Sequence, residues 1–264
     1  MDLNTTKHAF ITGGASGIGL GIARALLDRG IAVTLADIDE PALSAASTQL
    51  GCNSVVLDTR DREGWRRAKA LAEDALGPVD ILVNNAGIAP NGQEFADMNP
   101  ESFDRIIAIN LTGVFNGVVT FAADMRERKR GYIVNTSSIA GLSPSVPGVG
   151  AYSVAKYGVV SMSECLRQEL ASHGVGVSVL CPGLVATNLP QNTVKLGGEL
   201  RDAQGKMGDS GVSADDVGEV VVDAIEHDRF YILTHPGMLP GIKKRMQGIE
   251  EAFLDFEQRS GQAS

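Results

Sequence analysis

Short apolar runs and amphipathic stretches alternate along this chain almost from its first residues. HAFIT (8–12), IAVTLAD (31–37), SVVLD (54–58), DILVNNAG (80–87), GYIVNTSS (131–138), VGVSVLCPG (175–183) and FYILTH (230–235) are each rich in Val, Ile, Leu or Thr, the signature of buried strands. One helical pattern lies between neighbouring runs as far as the sixth. Repeated β-α units with right-handed crossovers predict an α/β fold: a doubly wound parallel sheet of about seven strands, with helices on both faces. Pro41 opens PALSAASTQL, Asn99-Pro100-Glu101 opens a long helical segment over 100–128, and Gly30, Gly51, Gly77, Gly131 and Gly174 are expected to close helices. No repeat, low-complexity tract or Pro/Ser linker divides the chain, which predicts a single domain over 1–264.

Two regions leave this rhythm. Residues 188–212 are polar and glycine-rich, and an insertion of that kind after a strand end predicts a lid or disorder. In the tail, 236–264, Ile242, Met246, Ile249, Phe253 and Phe256 recur at alternating spacings of four and three, one apolar seam on a helical extension. Such a seam is expected to dock on the domain or on a sister subunit.

Composition narrows the class. Hydrophobic residues make up 44%, aromatics only 5%, and there are 31 glycines, which suits helix-on-sheet layers better than a sandwich or barrel. A formal charge of −9 disfavours nucleic acid or an acidic membrane as partner. The densest basic cluster, RERKR (126–130), reads as a solvated helix end. Cys52, Cys165 and Cys181 lack metal-ligand spacing and are odd in number, and the four histidines are scattered, so neither a disulfide framework nor a metal site is expected. The N-terminus lacks the charged and apolar regions of a leader, and no apolar run approaches the ~20 residues of a membrane span. A soluble cytoplasmic protein is expected.

Three features carry candidate chemistry. FITGGASGIGLGIARAL leads from the first strand straight into a helix, and its glycines at 13, 17 and 19 let a backbone approach a pyrophosphate at a helix N-terminus. A literal G-x-G-x-x-G fails because position 22 is Ile, and close helix–strand packing is the competing reading. Asp37, about 20 residues on, is either an acceptor for an adenosine ribose or a plain loop acid. Tyr152 and Lys156 lie four apart in AYSVAKYG, one helical turn, as a surface pair or as a catalytic phenol with a cation beside it.

TGGASGIG (12–19), NNAG (84–87), Asn110 in IAINLTGVF, IVNTSS ending at Ser138, YSVAK (152–156) and PGLVAT (182–187) occur in one order at fitting intervals. Together they make the chain resemble the classical short-chain dehydrogenase/reductase family over roughly residues 6–190, more loosely to 235. The resemblance implies a Rossmann-like sheet in strand order 3-2-1-4-5-6-7, a nicotinamide cofactor and a homo-oligomer, commonly a tetramer with a dimer as alternative, built through the helices at 100–128 and 151–173. It implies Tyr152 as acid/base, with Lys156 lowering the phenol's pKa and holding the nicotinamide ribose. It also implies that Ser138 orients the substrate oxygen, Ser137 being the alternative, and that Asn110 supports Lys156 through an ordered water. For the cofactor it implies Gly13, Ser16, Gly17, Ile18 and Gly19 at the phosphates, Asp37 at the ribose and Asp58 with Thr59 at the adenine. Asn85, Ala86 and Gly87 would pass its adenine side, and Pro182, Gly183, Val185 and Thr187 its nicotinamide, Thr187 meeting the carboxamide. The interval from Ser138 to Tyr152 is one residue longer than is usual in the family, which places an insertion in GLSPSVPGVG (141–150).

Asp37, with no Lys or Arg at positions 14, 15 and 38, predicts NAD rather than NADP. The segments expected to wall the substrate pocket, IAPNGQ (88–93), IAGLSPSVPGVGA (139–151) and GLVATNLP (183–190), hold no charged residue. With Leu142, Val146, Val149, Leu184 and Leu189 they predict a small-molecule substrate that is a neutral, largely hydrophobic secondary alcohol or ketone. Two other readings stand beside it: a ketoreductase for an anionic acyl substrate met by the lid cations Lys195, Arg201 and Lys206, and a catalytically silent dinucleotide sensor or scaffold.

Overall fold

Seven strands form where the apolar runs predict them, in a computed structural model that describes residues 1–143, 146–187, 189–195, 197 and 212–261. They are β1 (His8–Thr12), β2 (Ala32–Asp37), β3 (Asn53–Val56), β4 (Ile81–Asn84), β5 (Gly131–Thr136), β6 (Val175–Cys181) and β7 (Tyr231–Leu233). All pair in parallel, in the order β3-β2-β1-β4-β5-β6-β7. Except for β1, which matches its run, the strands are shorter than the runs. In each central case the surplus residues, such as Asn85-Ala86-Gly87 after β4, Ser137-Ser138 after β5 and Pro182-Gly183 after β6, become loops at one edge of the sheet. A parallel sheet puts all its carboxyl ends on that edge, so these loops converge.

Alternation along each strand splits the core in two. Ile11, Leu35, Val83 and Val134 pack with α1 (Gly17–Leu27), α2 (Glu40–Leu50) and α8 (Ala214–Glu226). Phe10, Leu82, Ile133 and Val177 pack on the other side with α3 (Arg62–Leu76), α5 (Gly113–Arg128) and α6 (Gly150–Leu170). There the rings of Phe10, Trp65 and Phe121 meet at centroid distances of 5.3–6.3 Å. Helix starts carry side-chain caps at Asp39, Asp61 and Asn99, and a capping box at Ser213 and Asp216. Gly51 and Gly174 end their helices in the left-handed region as expected. Gly131 does not: it is the first residue of β5, and Lys129, at φ 52°, closes α5 instead.

The segment 100–128 is one helical rod in three parts: α4 (Pro100–Ile107), a π turn over Ala108–Thr112 and α5. Contrary to the expectation that no apolar run approaches a membrane span, it is by length and composition apolar enough to cross a membrane, but half of its most apolar window is buried in the core. Of the expected lid, α7 (Leu189–Lys195) is described; Arg201 and Lys206 lie outside the described residues. The tail forms α9 (Leu239–Ser260), which follows a short 3-10 turn at Pro236–Met238 and buries none of its residues.

Helices α1 and α8 cross through a glycine pair. A Cβ on Gly218 would lie 2.4 Å from the Gly21 carbonyl oxygen, and one on Gly21 would lie 2.1 Å from that of Ala214. Gly218→Ala is therefore expected to cost about 1–3 kcal/mol by overpacking and to lower the urea midpoint. Gly248→Ala, where a Cβ meets nothing within 4 Å, should leave the midpoint unchanged or raise it. An unchanged midpoint for Gly218→Ala would show that the helix pair yields.

Candidate active site

The loop from β1 to α1 is built around two glycines that no other residue replaces without strain. Gly13 and Gly17 take φ of 63° and 54°. A Cβ on Gly13 would meet the Ala86 Cα at 3.0 Å, and one on Gly17 would meet Thr187 at 3.1 Å. Gly19 does not line the cleft; its Cβ would lie 2.3 Å from the Gly13 carbonyl oxygen, so it is a packing glycine. Ser16 precedes α1 without capping it, which leaves the first N–H groups of the helix facing the cleft beside Ile18. Thr12 locks the loop to the next segment: its hydroxyl accepts from the Asn85 and Ala86 N–H groups at 2.9 and 3.0 Å, and Asn85 Nδ2 donates back to its carbonyl at 3.0 Å.

Asp37 ends β2 with its carboxylate accepting from the N–H groups of Ala15 and Asp39, both at 3.1 Å. Burial pushes its pKa up, and those N–H groups oppose the shift by favouring the carboxylate. Asp58 is clamped by the Arg60 guanidinium, which holds its pKa down. Thr59 beside it holds Trp65 and Asn116 through its carbonyl. These residues form the end of the cleft that fits an adenosine. Thr187, expected at the carboxamide, lines the cleft and lies against Gly17 of the phosphate loop.

At the other end Lys156 is buried, and its Nζ donates to the Thr136 carbonyl at 2.9 Å. Tyr152, one turn earlier on α6, presents its ring 5.5 Å from that nitrogen. The hydroxyl of Ser138 hydrogen-bonds the phenol and accepts from the Ala140 N–H at 3.1 Å. Ser137 turns away and donates to the Lys156 carbonyl at 2.7 Å, so the two adjacent serines separate cleanly. Asn110 sits in the π turn with its amide spent on Ile88, accepting from N–H at 2.9 Å and donating to C=O at 3.0 Å. Gly87 leaves room between them: a Cβ there would lie 2.6 Å from Asn110 Oδ1 and 3.7 Å from Lys156 Nζ.

The electrostatics correct one expectation. Burial pushes Tyr152 up to about 12 and Lys156 down to about 8. The hydrogen bond from Ser138, rather than Lys156, is what counters the rise at Tyr152. Desolvation disfavours both charged forms, and an ammonium aimed at Thr136 does not touch the phenolic oxygen.

These groups share one cleft of about 850 Å³. Ile88, Ala89, Pro90, Ile139, Val146, Val149, Leu184 and Leu189 wall its catalytic end, with Pro182, Gly183 and Val185 between the two ends. Leu142 is a second correction: it packs into the core against Val159 and Val179. Met238, from the tail, joins the wall, and no local pattern marks it. Three residues of α7 reach across the cleft: Asn192 to Ser16 at 3.2 Å, Thr193 to the Ala89 N–H at 2.8 Å, and Lys195 to Asp39 at 3.1 Å. Lys195 was expected over the site as a lid cation; the roles of Thr12, Asn192 and Thr193 carry no local signal, because their partners are distant in sequence. Behind the nicotinamide-side loop, the Gly183 N–H donates to His235 Nδ1 at 3.2 Å.

A family model described as short chain dehydrogenase matches residues 7–196. The chain belongs to the short-chain dehydrogenase/reductase family. It is an oxidoreductase by that membership, and 37% identical over 196 residues to the oxidoreductase UcpA of Salmonella typhimurium, covering 72% of this chain and 74% of that one. It is 31% identical to a C alpha-dehydrogenase of Sphingobium sp. strain SYK-6 over 94% of this chain and 87% of that one. A short-chain dehydrogenase/reductase from Burkholderia phymatum in complex with NAD superposes with a TM-score of 0.85 at 32% identity, over 96% and 97% of the two chains. LigO in its apo form, from Sphingobium sp. strain SYK-6, superposes at 0.84 with 33% identity over 97% and 92%.

The fit of a nicotinamide dinucleotide rests on the glycine cradle, the uncapped start of α1 and Asp37. Gly17→Ala adds a methyl both to a left-handed backbone and to the gap before Thr187. It is expected to weaken dinucleotide binding at least tenfold in a fluorescence titration, with far-UV circular dichroism unchanged. Undiminished affinity would place the phosphates elsewhere.

Proposed function

We propose that this protein transfers a hydride between NAD(H) and a neutral, largely apolar secondary alcohol/ketone pair. The observation that carries the reading is the partition of charge in the cleft. Its catalytic end holds Ser138, Tyr152 and Lys156 within apolar walls, and its other charged side chains, Asp37, Asp39, Asp58, Arg60 and Lys195, belong to the adenosine end or its rim. An anionic substrate would sit unpaired beside apolar walls, at a large desolvation cost. Lys195, one of the cations that an acyl anion would require, is bound to Asp39.

The bound cofactor supplies the hydride-accepting or hydride-donating carbon. Ser138 donates a hydrogen bond to the substrate oxygen and holds it beside the Tyr152 hydroxyl. Tyr152 gives its proton to that oxygen in reduction and takes one in oxidation. Burial keeps the phenol protonated, the form reduction needs. Lys156, anchored at Thr136, holds the nicotinamide ribose. With the Asn110 amide committed to Ile88, its part in proton relay falls to the main-chain carbonyl in the π turn. Apolar positions on α5 and α6, among them Phe115, Val119 and Val154, stay exposed and support assembly into a tetramer through those helices. Three free thiols support work in a reducing cytoplasm.

NAD is favoured over NADP because Asp37 would face a 2′-phosphate, while the nearby cations Arg60 and Lys195 are paired with Asp58 and Asp39. The kcat/KM with NAD should exceed that with NADP at least tenfold, and Asp37→Ala should narrow the gap. Equal use of both by the wild type would refute the assignment.

The substrate reading is tested by comparing kcat/KM for a neutral aryl or alicyclic ketone with that for a 3-keto acid or its coenzyme A ester. The neutral ketone should win by tenfold or more, and Tyr152→Phe should abolish turnover while leaving NAD affinity within about twofold. Preference for the anion would overturn the substrate class. Retained turnover in Tyr152→Phe would overturn the mechanism, and no turnover of any panel member would favour a silent dinucleotide sensor.

A further inference from the structure

Helix α9 has 22 residues and none of them is buried. Six of its large apolar side chains, Leu239, Ile242, Met246, Ile249, Phe253 and Phe256, recur at alternating intervals of three and four, with Leu254 off the seam. That is the narrow seam of a two-stranded coil, not the broad stripe of a helix lying on a sheet. Phe253 is 68% exposed, Phe256 65% and Met246 54%. The first half of the helix touches the domain, where Gly241 lies beside Ser143 and the Arg245 guanidinium stands 5.1 Å from the Tyr157 ring. Gly241 and Gly248 lower its intrinsic helicity by about 1 kcal/mol each relative to Ala, so packing has to support it.

Charge along the helix identifies what covers it. Lys243, Lys244 and Arg245 occupy the first half; Glu250, Glu251, Asp255 and Glu257 dominate the second, with Arg259 at the end. A parallel pair would set like charges together, and an antiparallel pair sets opposite ones together. We propose that α9 pairs antiparallel with α9 of a second copy of this chain, about a two-fold axis passing between Gln247 and Gly248. In that register Leu239 of one copy faces Phe256 of the other, Ile242 faces Phe253 and Met246 faces Ile249, so all six apolar positions are used. A shift by one heptad would oppose Ile242 to Ser260 and leave Leu239 unpaired. Lys243 and Glu250 flank the seam on the same side and pair across the axis twice, as a two-fold interface requires. Because Met238 lines the cleft and precedes Leu239, the pairing also brings the second copy's helix end to the substrate mouth.

Sedimentation equilibrium tests the pairing. Ile249→Glu/Phe253→Glu is expected to halve the assembly mass, with cofactor binding and far-UV circular dichroism retained. An unchanged mass would overturn the proposal and assign the seam to the chain's own domain or to a lipid surface. Lys243→Glu and Glu250→Lys should each weaken the association about three- to tenfold, and the double exchange should restore it. Orientation is read by oxidative cross-linking in a Cys165→Ser background. Leu239→Cys and Phe256→Cys should each fail to cross-link alone and should cross-link when mixed. Self-cross-linking of either single variant would mean a parallel pair and overturn the proposal.

Discussion

The hydrogen bond from Lys156 Nζ to the Thr136 carbonyl organises the catalytic end of this protein. A buried ammonium is costly unless it is paired, and this one meets the last carbonyl of β5 just before the chain leaves the sheet. The bond ties the middle of α6 to the strand that carries Ser138. Tyr152 lies one turn earlier on α6, and Ser137 reinforces the tie by donating to the Lys156 carbonyl. Catalytic geometry is thereby held by a strand and a helix, with the intervening loop free to vary in length. That explains how an extra residue between Ser138 and Tyr152 leaves the two hydroxyls in contact.

The same economy recurs at the cofactor end. Thr12 and Asn85 join the ends of β1 and β4, and Asp37 is seated by the N–H groups of Ala15 and Asp39. Glycines at 13 and 17 bring the backbone close enough for the open end of α1 to face the cleft. Charge is concentrated here in pairs, Asp58 with Arg60 and Asp39 with Lys195, and the catalytic end is left apolar around one cation. Separating the two environments lets a charged end and an apolar end share a single cleft.

The π turn in the rod over 100–128 shows a local irregularity put to use. It places Asn110 where its amide can hold both polar groups of Ile88, stiffening the segment that follows β4 beside Lys156. The tail works at a larger scale, contributing Met238 to the cleft wall just before a helix that buries none of its residues.

The strand runs, their parallel arrangement, the glycine loop, Asp37 and the Tyr152–Lys156 spacing were all legible in the linear chain, because each depends on residues within a few positions of one another. Periodicity and turn chemistry are local, and right-handed crossovers convert a βα order into a sheet almost without alternatives. Choosing between Ser137 and Ser138 needed the position of α6, since identical hydroxyls differ only in which way the strand end points them. Leu142 facing the core, Thr187 at the phosphate loop, Lys129 closing α5, and Asn192 and Met238 over the cleft are likewise decisions of tertiary structure. So is the pKa of Tyr152: spacing along a helix brings a cation near a phenol, but burial, which depends on everything packed around them, sets which effect is larger.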